Sequence, residues 1–93
     1  MSILETTILQ EADSVVNGDR QDDYGAPEDN LANIAQGWNG YLSAVSSRPL
    51  DGRDVGNMMA ILKAIRDANR PKRDNLVDGA GYFECADRCE IKR

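Results

Sequence analysis

Apolar residues recur along this 93-residue chain at intervals of three and four, and no stretch alternates apolar with polar. A period near 3.6 lets one face of an α-helix meet a core, whereas a half-buried strand needs a period of two. The chain is therefore expected to be all-α, as a four-helix bundle or as paired helical hairpins. Its length suits a single domain over residues 1–93. A chain so short buries only roughly 60–65 % of its unfolded surface. Completion by homo-oligomerisation is therefore expected, with Trp38, Met58 and Met59 adding to the apolar surface.

Four helices are delimited by local signals. The first is expected over Ser2 to Val16, with Ser2 and Glu5 as a capping box and Leu4, Ile8, Val15 and Val16 as its stripe. Asn17-Gly18 is a natural stop. Residues 18–26 read as a loop. Pro27 starts the second helix, with Glu28 and Asp29 in its first turn and Leu31, Ile34, Ala35, Trp38, Leu42 and Val45 at helical spacing. Asp51, with Asp54, caps the third, whose buried stripe is Val55, Met58, Met59, Leu62 and Ile65. Pro71 ends it. The fourth begins near Arg73 or Asp74, with Leu76, Val77, Ala80 and Phe83 as its apolar side. Gly79 and Gly81 weaken that helix, which points to close approach of a partner or ligand.

The net charge of −5 opposes general nucleic-acid binding, because phosphate repels it. The charge is uneven: residues 1–47 carry eight acidic groups and one basic, while residues 48–93 carry eight acidic and ten basic. The halves either neutralise each other on packing or offer separate surfaces for anions and for basic partners. No apolar run is long enough to span a membrane, and no signal peptide stands at the N-terminus. Cys85 and Cys89 lie four apart, a poor spacing for a disulfide on a helix, and read as buried reduced thiols. With no histidine, neither a nucleophile–histidine pair nor a zinc site is expected.

Three groups can carry chemistry. The acidic turn Asp19–Asn30 joins a tyrosine (Tyr24), carboxylates and an amide to a helix N-terminus; a solvated capping turn is the plainer reading. Lys63 and Arg66 share a helical face and can hold a phosphate, or simply sit solvated or ion-paired. Asp74 and Asp78, with Tyr82, share another face and can bind a divalent cation or pair with Lys63 and Arg66.

The segments GDRQDDYGAPEDN, a tryptophan helix, DVGNMMAILKAIR and RDNLVDGAGY together resemble a family of small uncharacterised domains from phages and prophages. The likeness covers about residues 7–86, and departs from the family pattern at Leu31 and Gly79. More distantly, the layout resembles the MazG-like all-α nucleotide pyrophosphohydrolases and the nucleotide-modification-associated domains. These resemblances imply a phage-type protein, located in the cytoplasm of the bacterial host, that binds a nucleotide or nucleotide-derived ligand. The contacts carried over are Tyr24, Glu28, Asn30, Lys63, Arg66, Asp74, Asp78 and Tyr82.

The pyrophosphohydrolases hold magnesium with an EExxE helix and an ExxD helix. Here Glu28-Asp29 lacks the third carboxylate, and Asp74-x-x-x-Asp78 replaces ExxD. A non-catalytic nucleotide binder that sequesters a nucleotide or a nucleotide signal of host defence is thus expected first. A magnesium-dependent hydrolase using Glu28, Asp74 and Asp78 is the second expectation. An acidic module that blocks a host enzyme is the third.

Overall fold

The structure, a computed structural model, describes residues 7–18 and 25–91. Among these, four helices occur and no strand: α1 (Ile8–Asn17), α2 (Pro27–Val45), α3 (Gly52–Asn69) and α4 (Arg73–Arg88). No described helix is long and apolar enough to cross a membrane. The expected Ser2–Glu5 capping box lies outside the described residues. The box observed at α1 is Thr7 with Gln10: the Thr7 hydroxyl accepts from the Gln10 N–H at 3.1 Å, and the Gln10 side chain accepts from the Thr7 N–H at 2.8 Å. α1 ends as read, at Asn17-Gly18, but it buries none of its residues.

α2 begins at Pro27, where the missing N–H costs nothing. Its docking face is rotated from the expected stripe. Asn30, Ile34 and Val45 are buried, while Leu31 is largely exposed. Gly37 lies on the docking face. A Cβ there would come within 2.9 Å of both Ile61 and Ile65, so the bare backbone admits the isoleucines of α3. Trp38 fixes the register by donating its indole N–H to the Met58 carbonyl at 2.7 Å.

The corner between α2 and α3 is closed by one carboxylate. Asp51 caps α3 as expected, accepting from the Asp54 N–H at 3.0 Å. Asp54 returns the bond to the Asp51 N–H at 2.9 Å, yet it is also fully buried. Burial of a charge is tolerable only with partners. Arg48 supplies a two-pronged pair at 2.6 and 2.8 Å, and Tyr41 donates its hydroxyl at 2.6 Å. Asn57 in turn donates to the Tyr41 oxygen at 3.1 Å. The network holds the turn that starts at Ser46, whose φ of 65° is uncommon outside glycine.

α3 and α4 form the larger interface through small residues. Gly56, Ala60, Gly79 and Ala86 are buried there, and a Cβ on Gly56 would lie 2.8 Å from that of Ala86 and 3.0 Å from the Tyr82 carbonyl oxygen. Gly56 is thus the close-approach glycine. Gly79 and Gly81, expected in that role, have ordinary clearance or open space. The expected apolar side of α4 is corrected likewise: Leu76, Val77 and Phe83 are more than half exposed. Close backbone contact is available only to the face bearing Asn75, Gly79 and Ala86, so the bulky side chains turn outward. The cysteines are free but not buried, with Cys85 exposed and Cys89 intermediate.

Three outcomes follow from this packing. The Arg48 guanidinium holds the Asp54 carboxyl far below its ordinary value of 3.8, so between the folded and unfolded pKa values the unfolded chain binds the extra proton. Stability carried by Asp54 is therefore full above the ordinary carboxylate range and is lost as pH falls through and below it. Urea unfolding midpoints are expected to show this acid decline. Asp54→Asn is expected to lower the midpoint at neutral pH and flatten the decline. Separately, Gly56→Ala is expected to destabilise by about 1–3 kcal/mol, the overpacking outweighing its gain in helix propensity. Gly40→Ala, where a Cβ meets nothing within 4 Å, is expected to stabilise by up to about 1 kcal/mol, both changes being read from urea unfolding.

Candidate functional site

The turn before α2 is set by a glycine. Gly25 has φ of 75°, and a Cβ there would approach the Asn69 side-chain oxygen to 3.2 Å. Both facts favour the residue with no side chain. The turn can therefore lie against the C-terminal end of α3. Between them opens a cleft of about 400 Å³. Ile65 and Ala68 give it an apolar wall, and Asp29, Asn30, Asn33 and Asn69 give it polar groups.

Asn30 is the distinctive member. Its side chain is 7 % exposed, and its Oδ1 has no hydrogen-bond partner. A buried acceptor without a donor costs roughly 1–3 kcal/mol. Among the described residues that line the cleft none is basic, while Asp29 is acidic. The cleft therefore favours a neutral or cationic group rich in hydrogen-bond donors.

The remaining expected site residues are spread over other surfaces. Lys63 meets Asp78, with Nζ to Oδ2 at 3.0 Å. This pair sits on the α4 side of α3, since Lys63 also faces Gly79. Lys63 and Ile65 are two residues apart and point in nearly opposite directions on the helix. The pair therefore does not line the Asn30 cleft. Asp78 is about half exposed, so the bridge contributes little to stability. Tyr82 and Asp78 border a separate shallow hollow with Val77, Gly81 and Cys85. Glu28 and Asp74 are exposed, and Arg66 is half-buried. Tyr24 lies outside the described residues. No three His, Cys, Asp or Glu side chains among the described residues are grouped to hold a metal ion. Glu28, Asp74 and Asp78 thus do not assemble as a magnesium site.

Asn33 and Asn69, which complete the cleft, escaped the sequence reading. The spacing of Asn30 and Asn33 on one helical face was the available signal.

Comparison with known proteins gives this chain a family. A family model described as "Domain of unknown function (DUF6378)" matches residues 7–90. The Gene 55 protein of Mycobacterium phage D29 is 34% identical over 86 residues, covering 91% of this chain and 54% of that protein. The Gene 55 protein of Mycobacterium phage L5 is 35% identical over 86 residues, covering 91% and 53%. The chain spans about half the length of these curated relatives. No solved structure matches it significantly. With the family model covering nearly all of α1 to α4 and with relatives encoded by phages, the chain belongs to the DUF6378 domain family.

Proposed function

We propose that this domain is a non-catalytic, phage-type nucleotide-binding protein that holds its ligand by the base. The observation that supports this reading is the buried, unpartnered Oδ1 of Asn30 beside an open cleft. A nucleobase edge supplies the missing donor through an amino or ring N–H group. Asn33, Asn69 and Asp29 add amide and carboxylate partners of the kind that read base edges. Ile65 and Ala68 offer apolar contact to the ring.

The phosphates belong outside the cleft, away from the acidic Glu28 and Asp29. Arg66, three residues before Asn69 on α3, would be the cation that meets them, exchanging an interaction it already makes within the domain. Lys63, expected to share that task, is engaged by Asp78 on the other side. A binder of this kind would sequester a nucleotide, and for a phage that includes a nucleotide signal of host defence.

Isothermal titration of the intact chain against nucleosides, nucleotides and cyclic dinucleotides tests the reading. At least one member of the panel is expected to bind. Asn30→Ala is expected to weaken it about tenfold or more while circular dichroism stays unchanged. Silence across the panel, or equal affinity for the Asn30 variant, would remove the proposal.

A further inference from the structure

The outward-facing side of α4 leaves a second feature unexplained. Ala60 and Ala64 of α3 and Leu76, Gly79, Ala80 and Phe83 of α4 line an apolar groove of about 280 Å³. At one end lies Asn75, 6 % exposed, whose side-chain Nδ2 has no acceptor. Leu76 is 63% exposed and Phe83 58%, so the groove lies open.

At the other end of the chain, α1 has the complementary defect. Ile8, Ala12, Val15 and Val16 form a helical stripe flanked by Leu9, and no α1 residue is buried. Ile8 and Leu9 are 86% and 82% exposed. We infer that α1 of a second copy of this chain seats in the α3–α4 groove. The arrangement is reciprocal, so a twofold-symmetric homodimer carries two identical contacts.

Three further observations fit this occupant. The ten residues of α1 span about 15 Å, and the α4 wall from Asn75 to Phe83 spans about 12 Å. α1 carries acidic Glu11 and Asp13 and no basic residue. Residues 70–76, which surround Asn75 at one end of the groove, carry three basic side chains against one acidic. Glu11 borders the apolar stripe of α1 and brings an acceptor toward the end where the Asn75 donor waits.

Sedimentation velocity of the intact chain tests the inference independently of any nucleotide. The wild type is expected to be a dimer. Leu9→Asp and Phe83→Asp each place a charge in both contacts, and each is expected to raise the dimer dissociation constant about a hundredfold. Both side chains are exposed in the single chain, so helicity by circular dichroism should not change. Mixing the two variants is the decisive step. A mixed dimer pairs one intact α1 with one intact groove, so partial dimerisation should return. A monomeric wild type, a dimer indifferent to both substitutions, or failure of the mixture to associate would each overturn the proposal.

Discussion

The buried carboxylate of Asp54 sets the frame on which the other helices are arranged. It has no access to water and is held by Arg48, Tyr41 and the Asp51 N–H. Removing any one of these donors would leave charge or a polar atom in an apolar corner, which is costly where solvent cannot relieve it. The same carboxylate therefore fixes where α2 ends, how the chain turns at Ser46 and at which residue α3 begins. The starting residue of α3 in turn decides which of its faces looks where. Ile61 and Ile65 meet Gly37 of α2, and Gly56, Ala60 and Lys63 meet α4.

α3 is thus a shared wall between two surfaces. One faces the turn at Gly25 and forms the asparagine-rich cleft; the other faces α4 and carries the Lys63–Asp78 pair. Bringing the ammonium, the guanidinium, both carboxylates and the tyrosine turn into one pocket would require α3 to present opposite faces to one place. Chemistry in this domain is better sought in the cleft, where a polar group is buried without a partner, than at the ion pair, whose charges answer each other.

The helix boundaries were legible because their causes are local. Pro27 at the start of α2, the Asp51–Asp54 box, Pro71 after α3 and Asn17-Gly18 after α1 each act through a few neighbouring atoms. The buried faces were harder to read. Apolar periodicity favoured Leu31 over Asn30 and Leu76, Val77 and Phe83 over Gly79 and Ala86, and the structure chose the smaller or more polar residue each time. Close packing at Gly37 and Gly56 gains its contacts by removing side chains, which a hydrophobicity pattern counts as weakness. The Asp54 network was visible only as a cap, because its long-range donors Arg48 and Tyr41 carry no spacing signature. Of the site residues, Lys63 and Asp78 do meet, as complementary charges at compatible helix positions can. Asn33 and Asn69 passed unnoticed because an exposed asparagine and one facing a cleft look alike in sequence.

The lone acceptor on Asn30 also couples occupancy of the cleft to folding. Its desolvation subtracts roughly 1–3 kcal/mol from a total that in domains of this size is only about 5–15 kcal/mol. A molecule that satisfies the carbonyl returns that amount and adds its own binding free energy to the native state alone. Under the proposed reading, a bound nucleotide would accordingly raise the resistance of the chain to proteolysis.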